Sequence, residues 1–172
     1  MKQQILINNI ICPTLLELSR YKTNCTSHSA VNLLFGTCCV ESNLCEYVRQ
    51  IGFDLKGIKG AFGIYQMEKR THDDILDKYI SFRPKLKELI FKKFRDERIP
   101  GHLQLVSDPF YATAMCRIHY MRISEELPHP KDVDGMAKYW KKYYNTDKGK
   151  GKEKDFITKF NKYGSELQCN LK

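Results

Sequence analysis

The chain has 172 residues, 42% of them hydrophobic and 28% charged, the length and balance of one globular domain with its own core. No apolar run approaches the roughly 20 residues that cross a bilayer, which excludes a transmembrane helix. The net charge of +9 suits an anionic partner, but the basic residues are spread along the chain and come with no recognisable nucleic-acid motif, so nucleic acid is not the expected partner.

Residues 1–12 hold a short apolar stretch broken by Asn8 and Asn9, with one lysine before it and no small-residue cleavage site after it. It is expected to be part of an N-terminal arm (1–24) and not a signal peptide. Pro13 predicts a break, with a short helix over 14–21. Residues 22–28 read as a loop, and Ser27 or Ser29 caps the next helix. Val31, Leu34, Phe35, Cys38 and Glu41 then recur at three- and four-residue steps, one face of a helix. Residues 43–66, with Gly52, Gly57, Gly60 and Gly63, predict an irregular segment with a small β-hairpin around 50–66.

Thr71 with Asp74 predicts a capping-box start for a helix through Tyr79. A lysine- and leucine-rich helix follows from Pro84 to Arg95, closed by Pro100-Gly101. Asp108-Pro109 is a cap followed by a first-turn proline, and Phe110, Ala114, Ile118 and Met121 mark the buried stripe of that helix. Val133, Met136, Ala137, Trp140 and Tyr144 form the next stripe. Residues 148–154, with four lysines and two glycines, read as a solvated loop, and a last short helix covers 155–163. The expectation is a single, mainly α domain over residues 1–172.

Seven cysteines without a Cys-x-x-Cys pattern read as reduced packing residues. No metal-ligand spacing is evident, so neither metal nor cofactor is expected. Glu41 is the residue that stands out. A carboxyl on the apolar face of a helix is desolvated, which favours its protonated form and equips it as a general acid. Gly60-Ala61-Phe62-Gly63-Ile64-Tyr65-Gln66 lets backbone and a carboxamide approach a ligand closely.

Glu41-Ser42, then Gly60-Ala61-Phe62-Gly63-Ile64-Tyr65-Gln66, then Tyr143-Tyr144-Asn145-Thr146 resemble, in order, the Glu-Ser, Gly-Ala-x-Gly-Leu-Met-Gln and Ala-Tyr-Asn-Ala-Gly motifs of soluble lytic transglycosylases and goose-type lysozymes. Two dipeptides depart from the pattern: Ile64-Tyr65 stands for Leu-Met, and Thr146-Asp147 for Ala-Gly. The layout also resembles lysozyme-like proteins of tailed phages. The resemblance implies a lysozyme-like α domain that cleaves the β-1,4 bond between N-acetylmuramic acid and N-acetylglucosamine. It implies Glu41 as the catalytic acid, with Ser42, Gly63, Gln66, Tyr144 and Asn145 contacting substrate and the Tyr144 hydroxyl orienting the Glu41 carboxyl. Trp140 reads as core packing.

A hydrolytic muramidase would use a second carboxylate, as hydrolases usually do, or a positioned water. Asp54 is the best placed in sequence, ahead of Glu46, Glu68, Asp73 and Asp74; His72 and His119 have no evident partner. The implied partner is the glycan strand of bacterial peptidoglycan, with other virion proteins as further partners if the chain is part of a phage particle. Without a signal peptide the protein is expected to be made in a host cytoplasm and to reach the wall through a holin, by lysis or in the virion. A catalytically inactive structural virion protein is the rival from outside the enzymes.

Overall fold

A computed structural model describes residues 3–22, 25–49, 60–147 and 149–164. The chain is mainly helical, with one small two-stranded antiparallel sheet, as expected. The N-terminal segment differs from its expectation. Helix α1 (Gln3–Leu6) passes through a π-helical turn, π1 (Ile7–Ile11), into α2 (Cys12–Ser19). Pro13 does not break it. The Cys12 N–H already reaches back five residues to the Ile7 carbonyl, so the proline arrives where the hydrogen-bond register is changing and its missing donor costs little. Leu6, Ile7, Ile11 and Leu15 are fully buried. The segment is therefore part of the core and not an arm.

Helix α3 (His28–Ser42) is the axis of the domain. The Ser27 hydroxyl accepts from the Ala30 N–H at 3.1 Å and starts it. Val31, Leu34, Phe35 and Cys38 are buried as predicted, but so are Leu33, Gly36, Thr37 and Cys39. Helix α3 is thus enclosed on nearly every side, by π1 and by three later helices: α7 (Pro109–Met121), α8 (Val133–Trp140) and α9 (Glu153–Gly164). Gly36 permits the closest of these approaches. A Cβ there would lie 2.1 Å from the Phe156 ring of α9.

The hairpin lies slightly later than predicted. Strands β1 (Ala61–Phe62) and β2 (Met67–Glu68) pair Ala61 with Glu68 and Phe62 with Met67; residues 50–59, with Asp54, lie outside those described. Helix α4 (Lys69–Ile75) starts at Glu68 without a side-chain cap, so the capping box expected at Thr71 does not form. Asp74 instead pairs with Lys78 at 2.7 Å and Arg122 at 2.6 Å. A second π-helical turn, π2 (Leu76–Ile80), leads to α5 (Pro84–Lys93).

Pro100-Gly101 opens a helix that the sequence reading missed, α6 (Gly101–Ser107). Its buried Gln104 donates to the Phe94 carbonyl at 2.6 Å and accepts from the Asp96 N–H at 3.0 Å. Asp108 caps α7 through the N–H groups of Phe110 and Tyr111. Phe110 is nevertheless 41% exposed, because Tyr111 takes the inward face of that first turn. After α8 the chain widens into a third π-helical turn, π3 (Lys141–Asn145).

Candidate active site

A cavity of about 610 Å³ opens beside the C-terminal end of α3. Its walls come from seven elements of the chain. Val40 and Glu41 end α3; Ala61, Gln66, Met67 and Glu68 belong to the hairpin; Thr71 and His119 come from α4 and α7; Trp140, Tyr144 and Asn145 come from α8 and π3; the last wall is the loop of Thr146, Gly149, Lys150 and Gly151. The glycine-glutamine motif and the Tyr-Asn motif, about 80 residues apart along the chain, thus meet Glu41 around one space.

Glu41 is partly open to the cavity, and its carboxyl is otherwise enclosed by protein. Burial pushes its pKa up from 4.5 to about 7, against a hydrogen bond from Trp140 and the nearby positive charge of Lys159, which both pull it down. The Trp140 indole donates from Nε1 to Glu41 Oε1 at 2.9 Å. Trp140 is 1% exposed, packed against Phe156 and under Gly151, where a Cβ would meet the indole at 2.7 Å. The donor is therefore fixed in place. Lys159 of α9 donates to the Val40 carbonyl at 3.3 Å and holds the end of α3.

Tyr144 does not orient the carboxyl. Its hydroxyl donates to the Tyr65 carbonyl at 2.8 Å, tying π3 to the hairpin turn. The π-helical turn accounts for the difference, since it rotates side chains away from the positions an α-helix would give them. Tyr144 and Asn145 still line the cavity. Asn145 Oδ1 accepts from Lys141 Nζ at 2.8 Å, and the same ammonium bonds the Thr146 and Gly149 carbonyls. Lys141 thereby staples the loop that departs from the motif. Thr146 sits at φ 63, backbone that a β-branched residue adopts only under constraint.

Gln66 lines the cavity, but its amide nitrogen donates to the Gly63 carbonyl at 2.8 Å and the Tyr47 carbonyl at 3.3 Å. Both amide protons are used within the protein, which leaves Oε1 as the group able to address a ligand. Ser42 and Gly63 do not line the cavity, contrary to their expected contact with substrate. Ser42 is fully buried; its hydroxyl donates to the Cys38 carbonyl and accepts from the Cys45 N–H. Gly63 sits at φ 74, and a Cβ there would lie 2.1 Å from the Leu105 carbonyl oxygen. Both shape the frame behind the site.

Among the carboxylates proposed as partners of Glu41, Glu68 alone of those described lines the cavity. Glu46 is exposed and bonded to Asn43, and Asp73 bonds Lys69 and His72. His72 is a partnered core histidine, bonded to Tyr111 at 2.8 Å as well as to Asp73. His119 donates from Nε2 to the Tyr143 carbonyl at 2.8 Å, and burial lowers its pKa. Among the described residues no cluster of His, Cys, Asp or Glu could hold a metal ion, and no helix is long and apolar enough to cross a membrane.

The Trp140 donor and the Lys159 charge were not legible beforehand. The only advance signal was that a tryptophan four residues before Tyr144 belongs to the same helix end.

Comparison of the chain with protein-family models, with curated proteins and with solved structures finds no match.

Proposed function

We propose that the protein is a peptidoglycan-degrading glycosidase that cleaves the β-1,4 bond between N-acetylmuramic acid and N-acetylglucosamine as a lytic transglycosylase. One observation carries the reading: a carboxyl whose pKa is raised to about 7 at the wall of a cavity large enough for sugar rings, aimed by an indole N–H. A carboxyl in that state keeps its proton in a large share of molecules at neutral pH and can deliver it to a departing glycosidic oxygen. The bond between that oxygen and the anomeric carbon breaks, leaving an oxocarbenium-like centre. Glu41, now ionised, takes the proton from the sugar's own 6-hydroxyl as that oxygen closes onto the anomeric carbon. The products are a free 4-hydroxyl and a 1,6-anhydro end, and the enzyme is returned to its protonated form.

The cycle needs one carboxyl and no water. The enclosure that lifts the Glu41 pKa also favours a reaction from which water is kept out. A hydrolytic muramidase is the second reading, favoured by one observation, the presence of Glu68 on the hairpin wall of the same cavity.

The experiment is mass spectrometry of glycan fragments released from purified peptidoglycan. Anhydro ends are expected. Reducing ends would replace the transglycosylase by the hydrolase, and no fragments from folded protein would favour a structural virion component. Delivery to the wall in a phage particle or as a lysis enzyme belongs to the same proposal.

A further inference from the structure

The turn that leaves α3 runs left-handed for three consecutive residues, Asn43, Leu44 and Cys45, at φ 53, 57 and 65. Asparagine tolerates this backbone, whereas leucine and cysteine are strained in it. Surrounding contacts hold the turn. The Cys45 N–H donates to the Ser42 hydroxyl at 3.0 Å, the Tyr47 N–H donates to the Ser42 carbonyl at 3.0 Å, and Asn43 Oδ1 accepts from the Tyr163 hydroxyl at 3.1 Å. Leu44 is 7% exposed. The result is that Cys45 folds back over α3, with its Sγ 3.3 Å from that of Cys38. Such strain, fixed by its surroundings and bringing two reactive groups together, is a mark of a functional position.

The two thiols differ in the way a redox pair requires. Cys38 is fully buried, while Cys45 is partly exposed and reachable from solvent. Once Cys45 is ionised, Cys38 can donate to its thiolate, which favours that form and lowers the Cys45 pKa; burial raises that of Cys38.

We propose that Cys45 and Cys38 are a two-thiol redox site for hydroperoxides, Cys45 reacting first and Cys38 resolving it. The Cys45 thiolate attacks one oxygen of hydrogen peroxide. The O–O bond breaks, one oxygen stays on sulfur as a sulfenic acid, and the other leaves as water after taking up a proton. Cys38 sulfur then attacks the sulfenic sulfur. The S–O bond breaks, a second water departs with the Cys38 proton, and a disulfide joins the two residues. Two thiols are oxidised and one peroxide is reduced to two waters.

The bond would act on the cavity wall. The residues after Cys45 are the outer support of the hairpin: the Tyr47 carbonyl receives Gln66, the Val48 carbonyl receives the Gly63 N–H at 2.8 Å, and Arg49 bridges to Phe62. A disulfide from Cys45 to α3, one helical turn before Glu41, ties that support covalently to the helix bearing the carboxyl. The pair can be tested without reference to wall cleavage.

The reduced full-length protein is treated with equimolar hydrogen peroxide at neutral pH, alkylated after unfolding, and digested after glutamate. Cleavage at Glu41 falls between the two cysteines, and because the Cys38 peptide also carries Cys25 and Cys39, fragmentation of the linked peptides locates the bridged sulfur. The expected product is the Cys38 and Cys45 peptides joined with the loss of two hydrogens and released by dithiothreitol, together with a higher melting temperature for the oxidised protein. In Cys38→Ser, dimedone should capture a sulfenic acid on Cys45; in Cys45→Ser, Cys38 should stay unmodified. If Cys38→Ser does not fold, the wild-type map and Cys45→Ser decide the matter. Full alkylation of both cysteines after peroxide, or a disulfide from Cys45 to Cys39 or Cys116, would overturn the proposal.

Discussion

Glu41→Gln is expected to remove wall lysis at every pH and to stabilise the protein increasingly as the pH rises above about 4.5, with the full gain above about pH 7. The raised carboxyl pKa explains why. Below about pH 4.5 the folded and unfolded chains both carry the proton, and burial of the neutral group adds no charge penalty. As the pH rises, the unfolded chain releases its proton first. The folded chain holds it to about pH 7 and so loses stability across that window. Each factor of ten in proton affinity is worth about 1.4 kcal/mol, and 7 less 4.5 is 2.5 such factors, giving a penalty of about 3 kcal/mol at high pH. Glutamine keeps the shape and an oxygen for the Trp140 indole but has no proton to lose. For a chain of this length the gain corresponds to a rise in Tm of roughly 6–12 °C at high pH, fading as the pH falls to about 4.5. Urea or thermal unfolding of both proteins across that range is the assay. A difference in stability that does not change with pH would refute the reasoning, as would residual lysis by the folded variant.

Trp140→Phe removes the donor that opposes the lift on Glu41, so the alkaline limb of the rate profile should move to higher pH; the other groups facing the carboxyl, Lys159, Cys116, Tyr144 and Tyr120, are unchanged. A limb that stays in place would assign the tryptophan to packing alone. Tyr144→Phe should lower Tm through loss of the bond to the Tyr65 carbonyl and leave that limb where it is, whereas a shifted limb would return the hydroxyl to Glu41. Gln66→Ala should cost about 0.5–1.5 kcal/mol for each bracing bond, read as a lower urea midpoint, and unchanged stability would contradict the brace. Thr146→Gly relieves a positive φ and should stabilise by about 1 kcal/mol; a destabilised variant would mean that the threonine side chain holds the loop.

Glu41 could be found in the sequence because its environment is local. The helix carrying it has apolar residues at three- and four-residue steps, and a glutamate at the next step is carried inward whatever lies opposite. The hairpin and the caps at Ser27 and Asp108 are local in the same sense: glycine at a positive φ and a side-chain oxygen two or three residues before a bare N–H leave a signature in a few consecutive letters. What failed depended on hydrogen-bond register and on the direction in which a turn packs, which consecutive letters do not show. Pro13 reads as a break until the π-helical turn before it is known, and Phe110 reads as buried until Tyr111 is seen to take the inward direction.

The group that holds the carboxyl illustrates the same division. Trp140 stands 99 residues from Glu41, and nothing in the residues around either one distinguishes an indole that packs from an indole that also donates. Tyr144 had the stronger sequence claim because a phenol beside an asparagine matched a motif, yet the motif fixes only the order of residues. The π-helical turn over Lys141–Asn145 fixes their direction, sending the phenol to the hairpin and leaving the carboxyl to the tryptophan one turn earlier. The substitution of Thr146-Asp147 for the small residues of the pattern fits this shift. Lys141 must gather the Asn145 side chain and the Thr146 and Gly149 carbonyls to hold a strained loop, and that loop brings Gly151 down onto the indole. The loop held by Lys141 and the indole donor of Trp140 are thus two ends of one packing arrangement.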